Sequence, residues 1–208
     1  MDENNLYSGF GDDGTFVPFT DIVLNVLLGF TFLVLLTLAL VKPEAKAGSV
    51  DVKAEVLITV SWPDGAEDDI DTYVKDPLGN IVWYFAREKG FLNLERDDRG
   101  AFHDTVLVNG VKVENPLNQE TVTMRGVVAG EYIVNVYDYS HKTTGNVPVA
   151  VRVEKLNPKV SVVYYGVSNL THSGDEATAV RFTLDEQGNV TDTNSRQDSL
   201  VQQVKARK

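Results

Sequence analysis

The sequence contains no cysteine, which excludes disulfide bonds and metal sites built on thiolates. It has only three histidines, His103, His141 and His172, and their wide spacing excludes an HExxH-type metal site. The chain also lacks a GxSxG nucleophile turn and a phosphate-binding P-loop. Without any of these motifs, we expect the protein to have no enzymatic activity.

Positive charge is also scarce. The chain has 19 Lys and Arg residues against 30 Asp and Glu residues, a formal net charge of -11. Nucleic acids and anionic membrane surfaces bind clusters of basic side chains, so this balance argues against both as the main partner. The composition therefore predicts that the protein does not bind nucleic acid.

One long apolar run is present near the N-terminus. Residues 22–41 carry no charge, and only one asparagine and two threonines among them are conspicuously polar. At ~1.5 Å per residue, this run makes a helix of roughly 30 Å, the thickness of the hydrocarbon core of a bilayer. The sequence predicts a transmembrane helix over residues 16–42. Residues 1–15 are short, acidic and glycine-containing, and we expect them to be flexible.

A cleaved signal peptide is the alternative to a retained span, because Ala45-Lys46-Ala47 resembles an A-x-A cleavage site. Signal peptides, however, begin with basic residues and have an apolar run of about 7–15 residues, whereas this chain begins with acidic residues and its run is longer. We therefore expect the span to be retained. Lys42 and Lys46 follow the span, and by the positive-inside rule these two charges favour a cytoplasmic C-terminal side.

Residues 55–185 show alternating apolar and polar positions, interrupted by turn sequences. Clear strand candidates are residues 56–62 and 147–155, and Asn109-Gly110 is the strongest hairpin signal. About nine or ten short strands with no amphipathic helix between them are typical of a β-sandwich or jelly roll. The predicted fold class is a single N-terminal transmembrane α-helix followed by an all-β domain.

Two segments flank this predicted β domain. Residues 43–54 contain Pro, Ala, Gly and charged residues and are predicted to form a short linker. Residues 186–208 lose the apolar spacing. They are predicted to be a flexible tail, or a short helix from about Ser199 that becomes ordered on a partner.

A lone carboxylate, Asp21, lies at the start of the apolar run. If the helix begins at Pro18, Asp21 lies in the first turn, where the helix macrodipole stabilises negative charge and the residue can be a simple capping acid. The alternative is functional, because an acid at membrane depth can bind and release an ion as its surroundings change. Asn25 and Leu28 share its helix face, so Asn25 either accompanies it or holds helices together. Gly29 allows a neighbouring helix to approach closely.

The stretch from Pro18-Phe19-Thr20-Asp21 to Leu28 resembles the single membrane helix of the ExbD/TolR/MotB family, which opens with a P-x-x-D pattern. The resemblance is confined to this helix. It implies that Asp21 binds the transported ion, a proton or sodium. It also implies that Thr20, Asn25 and Gly29 lie along the ion pathway or a helix interface, and that no further cofactor is required.

The same resemblance implies a location and a set of partners. The N-terminus would lie in the cytoplasm, the helix in a bacterial inner membrane and the β domain in the periplasm, and this orientation takes precedence over the two-lysine count. The chain would form a homodimer inside a ring of MotA/ExbB/TolQ-like multi-span subunits, typically five. Ion flow would drive rotation that acts on an envelope target.

The chain departs from this family after the helix, because its downstream domain is longer and all-β. This departure puts peptidoglycan anchoring in doubt and leaves the target of the motor open. The alternative function is a membrane-tethered periplasmic or extracellular binding module with no role in ion translocation.

Acidic residues of the β region form a second candidate site. Asp68, Asp69 and Asp71 precede or open one predicted strand, and Asp97 and Asp98 lie in a loop further on. Loop carboxylates of extracellular β-sandwiches often bind calcium, a hard cation that takes about six to eight oxygen ligands. The alternative is a solvated acidic loop without a ligand.

Overall fold

The computed structural model describes residues 16–40, 53–100 and 105–207. The chain divides into two compact units, Met1–Asp51 and Val52–Lys208. The segment predicted to be flexible, residues 1–15, and nearly all of the predicted linker, residues 43–54, lie outside the described residues.

The described part of the first unit, residues 16–40, is one helix, α1 (Phe16–Leu40). Its residues Phe19–Leu38 have a mean hydropathy of 2.2, and none of them is buried, so α1 is long and apolar enough to cross a membrane. The hydroxyl groups of Thr31 and Thr37 each donate a hydrogen bond of 2.6 Å to a backbone carbonyl one turn back. These polar groups are therefore satisfied within the helix, as apolar surroundings require.

The second unit consists almost entirely of β-strands. Its elements are β1 (Val56–Trp62), β2 (Asp69–Lys75), β3 (Ile81–Val82), β4 (Glu88–Lys89), β5 (Leu92–Arg96), β6 (Thr105–Val108), β7 (Val111–Glu114), β8 (Asn118–Met124), β9 (Gly130–Ser140), β10 (Val147–Lys155), β11 (Ser161–Leu170), β12 (Glu176–Leu184), β13 (Val190–Asn194) and α2 (Leu200–Lys205). One antiparallel sheet has six strands in the order β11-β10-β1-β8-β5-β4, and another has five in the order β13-β12-β9-β2-β3. The predicted fold class, one N-terminal apolar helix followed by an all-β domain, is confirmed.

The two large sheets pack face to face because alternate residues of their strands are buried. In β1 and β8 every second residue is buried, as the alternating sequence predicts. The five-stranded sheet supplies matching residues from β9 and β12, where the rings of Tyr132 and Phe182 stack with centroids 5.2 Å apart. Residues of both sheets belong to one hydrophobic core, which is the arrangement of a β-sandwich.

The hairpin predicted at Asn109-Gly110 is present as β6 and β7, with Val108 opposite Val111. Both turn residues have positive φ, 53° for Asn109 and 80° for Gly110. Positive φ at both central residues is the signature of a type I′ turn, whose twist matches the twist of the flanking strands. The local sequence therefore determines this hairpin.

The C-terminal segment differs from the flexible tail predicted for residues 186–208. β13 pairs with β12, and the side chain of Leu200 in α2 is completely buried. Leu200 and Val201 pack on the face of the five-stranded sheet that points away from the main core, against Tyr73, Ile81, Trp83 and Ile133. The helix does begin beside Ser199, and it packs on the β domain of its own chain. The apolar spacing of the sequence does not indicate α2, because a helix of six residues is too short for the helical repeat of apolar positions to be recognised.

Glu176 fixes the start of α2. Its carboxylate accepts hydrogen bonds from the backbone N–H groups of Leu200 (2.8 Å) and Val201 (3.1 Å) and from the hydroxyl of Ser199 (2.5 Å). The side-chain amide of Asn135 donates a further bond of 2.7 Å. These contacts satisfy N–H groups that the first turn of a helix leaves unpaired.

We expect Leu200→Ala to lower the free energy of unfolding of the β domain by about 2–5 kcal/mol, because it removes a fully buried side chain under α2. The measurement is urea unfolding of the full chain in detergent, followed by tryptophan fluorescence. Leu78→Ala is the matched control, since Leu78 is 68% exposed and its truncation should cost less than about 0.5 kcal/mol. Equal effects of the two substitutions would contradict the docking of α2.

Candidate functional site

Asp21 is the one charged residue of α1. The helix begins at Phe16 and not at Pro18, and its first turn contains no acidic residue. Asp21 therefore lies in the second turn, beyond the first-turn range in which the macrodipole stabilises a carboxylate. A capping role, which depends on a first-turn position, does not account for this residue.

The residues predicted to accompany Asp21 lie close to it along α1. The side-chain amide of Asn25 donates a hydrogen bond of 2.9 Å to the backbone carbonyl of Asp21. Thr20 directly precedes Asp21, and Gly29 lies one turn beyond Asn25, where a Cβ would meet no atom within 4 Å. A shallow groove runs along the same stretch and is lined by Asn25, Leu28, Gly29, Thr31, Phe32 and Leu35. A second helix can approach α1 closely at this groove.

The five aspartates predicted to bind calcium separate into two groups, and the first group serves the fold. Buried Asp68 accepts hydrogen bonds from the backbone N–H groups of Lys142 (2.6 Å) and Thr143 (2.9 Å). Asp98 forms an ion pair with Arg96 at 2.6 Å and accepts a bond from the backbone N–H of Gln119. Both carboxylates are engaged in holding loops and strands in place.

The second group, Asp69, Asp71 and Asp97, lines one cavity of about 280 Å³. The other described lining residues are Tyr84, Arg99 and Tyr139. A fourth carboxylate, Glu120, converges on two of these aspartates: one oxygen each from Asp71, Asp97 and Glu120 lie within 4.8 Å of one another. We refer to Asp69, Asp71, Asp97 and Glu120 as the acidic cluster.

Strands from both sheets bring the acidic cluster together. Asp71 lies in β2 of the five-stranded sheet, Glu120 lies in β8 of the six-stranded sheet, and Asp97 directly follows β5, the neighbour of β8. The Glu120 carboxylate accepts a hydrogen bond of 2.7 Å from the backbone N–H of Thr72 in β2. This bond links the two sheets beside the cluster.

Gly100 allows the loop after β5 to approach the residues that precede β2. Its φ is +61°, and a Cβ at this position would lie 2.7 Å from the backbone oxygen of Asp68. A larger residue would meet both a steric clash and an unfavourable backbone conformation. The close approach keeps the loop that carries Asp97 against the chain that leads into Asp69 and Asp71.

Burial alters the protonation of the acidic cluster. The pKa of Asp71 is raised to about 8, first by burial and then by the neighbouring charges of Asp69 and Asp97. Burial and the nearby Asp97 raise the pKa of Asp69 to about 6, and Arg99 partly opposes both shifts. The pKa of Glu120 lies well above its ordinary range because its side chain is almost completely buried. Carboxylates in such surroundings hold either protons or a cation.

The sequence did not point to Glu120, because this residue lies alone in a strand and away from the aspartate-rich loops. The alternation of inward and outward positions along β8 does, however, identify Glu120 as an inward residue. Glu120 occupies the same inward set of positions as Val122 and Met124, which belong to the core. An acidic residue in register with core positions is buried, and a buried carboxylate needs a compensating partner.

Comparisons with known proteins do not add to these observations. No protein-family model, curated protein or solved structure matches the chain. The interpretation of Asp21 and of the acidic cluster therefore rests on their own geometry.

We expect Asp71 to make the β domain less stable as the pH rises from 3.8 to about 8, once a chelator has removed divalent cations. The folded-state pKa of about 8 exceeds the ordinary value of 3.8, so over this range the folded state keeps a proton that the unfolded state has released. Asp71→Asn should flatten this part of the profile of melting temperature against pH.

The control for this pH experiment is Asp64→Asn, which removes a carboxylate from an exposed turn. It should leave the wild-type slope unchanged. Identical slopes for Asp71→Asn and the wild type would contradict a raised pKa at Asp71.

Proposed function

We propose that this chain is a B-type subunit, of the MotB/ExbD/TolR kind, of a proton- or sodium-driven rotary motor in a bacterial inner membrane. Two copies of α1 pack together inside a ring of MotA/ExbB/TolQ-like multi-span subunits, typically five. Asp21 binds an ion and releases it as it meets successive partner subunits. The N-terminus lies in the cytoplasm, and the β domain in the periplasm passes the movement to an envelope target.

The observation that carries this proposal is the position of Asp21. It is the one charge on an otherwise apolar helix, and it lies beyond the first turn. A carboxylate in a membrane span is costly unless it faces protein or water, so its presence points to ion binding.

The surface around Asp21 supports a helix partner. The groove of α1 contains Gly29, which presents no side chain, and Asn25, which is held against the backbone of Asp21 by its amide hydrogen bond. Small and polar residues are enriched where membrane helices pack together. The groove therefore offers a surface for a second copy of α1 or for a helix of the ring.

A membrane-tethered binding module is the second candidate function. The acidic cluster favours it, because a ligand site in the β domain needs no motor. In that case α1 only anchors the domain, and the charge of Asp21 has no role in transport.

The two candidates differ in the effect of removing the Asp21 charge. The full chain is purified in mild detergent with its associated membrane proteins from the cells that make it, and the complex is reconstituted in liposomes. We expect native mass spectrometry to find two copies of this chain with five copies of a multi-span protein. Asp21→Asn should assemble the same complex but lose nearly all ion flux driven by a proton or sodium gradient, because amides do not exchange these ions.

Two variants serve as controls for the flux measurement. Asp21→Glu keeps a carboxylate at the same position and should retain flux, whereas Thr37→Val changes a polar residue of α1 outside the groove and should behave as the wild type. Full flux in Asp21→Asn, or a complex without a multi-span protein, would overturn the motor proposal and leave the tethered module.

A further inference from the structure

Among the described residues, the acidic cluster contains carboxylate oxygens that are buried without a hydrogen-bond partner. Glu120 is 1% exposed and Asp71 is 4% exposed. Within the described residues, Oε1 of Glu120 and Oδ2 of Asp71 accept no hydrogen bond. An unpaired carboxylate oxygen in a protein interior carries a large desolvation cost, and a bound cation is one of the few ways to offset it.

The cluster also has an unbalanced charge. Four carboxylates lie at or beside the cavity, and Arg99 is the one basic side chain in its described lining. Arg99 is exposed, and it reaches none of the four carboxylates in an ion pair in this part of the chain. Among the described lining residues, one exposed basic side chain therefore faces four carboxylates and cannot balance their charge.

We propose that Asp71, Asp97 and Glu120 bind a calcium ion, with Asp69 as a further ligand from the lining of the same cavity. All four donors are carboxylate oxygens, which suit a hard cation; typical zinc sites instead include histidine nitrogen or cysteine sulfur among their ligands. Waters complete the coordination shell from the open side of the cavity.

The number of carboxylates favours calcium over magnesium. Magnesium usually keeps several waters and is bound through one or two carboxylates, whereas calcium takes about six to eight oxygen ligands in a flexible geometry. Three carboxylates converge at this site, with oxygens of Asp71, Asp97 and Glu120 within 4.8 Å of one another, and Asp69 lines the same cavity.

Calcium at this position joins the two sheets of the sandwich. Asp71 belongs to the five-stranded sheet, whereas Asp97 and Glu120 belong to the six-stranded sheet or its loop. An ion that binds the folded state alone stabilises it in proportion to its occupancy. This inference concerns the β domain and does not depend on ion transport by Asp21.

The first experiment uses terbium, a luminescent calcium substitute, with the full chain in detergent. Tyr84 and Tyr139 line the cavity, so excitation of tyrosine should sensitise the emission of bound terbium. Added calcium should displace terbium and so reduce this emission. Asp97→Asn and Glu120→Gln should weaken binding by more than about tenfold, since even indirect partners of a bound metal contribute tenfold or more to affinity. The exposed acids Asp64 and Glu186 provide the matched controls Asp64→Asn and Glu186→Gln, which should bind as the wild type does.

The second experiment measures the melting temperature with a chelator, with calcium and with magnesium. We expect calcium to raise the wild-type value, magnesium at the same concentration to raise it less, and Asp97→Asn to abolish the calcium effect. Asp97 is only partly buried, so this variant remains informative if Glu120→Gln fails to fold. The proposal is overturned if calcium leaves the wild-type value unchanged, if Asp97→Asn responds as Asp64→Asn does, or if magnesium stabilises as well as calcium.

Discussion

The packing of two apolar sheet faces against each other is the interaction on which the β domain depends. Inward residues of β1, β8 and β10 meet those of β9 and β12 in one continuous core, and burial of apolar surface is the main favourable term in folding. This interface sets the positions of the strand ends and of the loops that leave them. It brings the end of β5 and the middle of β8 next to β2, where the acidic cluster forms. α2 packs on the outer face of the five-stranded sheet, which points away from this core.

Carboxylates that leave water need hydrogen bonds, an opposite charge, a proton or a metal ion. The β domain uses the first two for its structural acids: Asp68 accepts backbone hydrogen bonds, and Glu131 pairs with Arg181. In the acidic cluster, by contrast, one oxygen of Glu120 has no hydrogen-bond partner among the described residues, and the groups that converge on it are the carboxylates of Asp71 and Asp97 instead of a base. That difference separates a candidate ligand site from the acids that only support the fold.

The same physical rule applies to Asp21 in the first unit. α1 satisfies the hydroxyls of Thr31 and Thr37 internally, and the amide of Asn25 bonds to a backbone carbonyl. A carboxylate has no hydrogen to donate and cannot be satisfied by a helix carbonyl in this way. It therefore needs water, another protein group or a bound ion, and this need is the basis of the proposal that Asp21 exchanges an ion.

Local patterns in the sequence determined the helix, the strands and the hairpin. The apolar run predicts α1, and the alternation over residues 56–62 and 147–155 predicts β1 and β10 with the bounds that the structure has. Asn109-Gly110 predicts the type I′ turn between β6 and β7. These features depend on neighbours a few residues apart, so a single sequence contains the information. Asp21 was recognisable for the same reason, since a lone acid beside an apolar run is a local feature.

Only the tertiary structure decided which acids converge and where the C-terminal segment lies. Asp68 and Asp98 looked equivalent to Asp69, Asp71 and Asp97 in sequence, but the fold commits the first two to structural contacts and adds Glu120 to the others. Two contacts hold α2 in place: the apolar patch on the outer face of the five-stranded sheet and the carboxylate of Glu176. Glu176 lies at the start of β12, and both β12 and β13 separate it from α2 along the chain. Contacts between residues so far apart depend on how the sheets pack, and no local pattern encodes them.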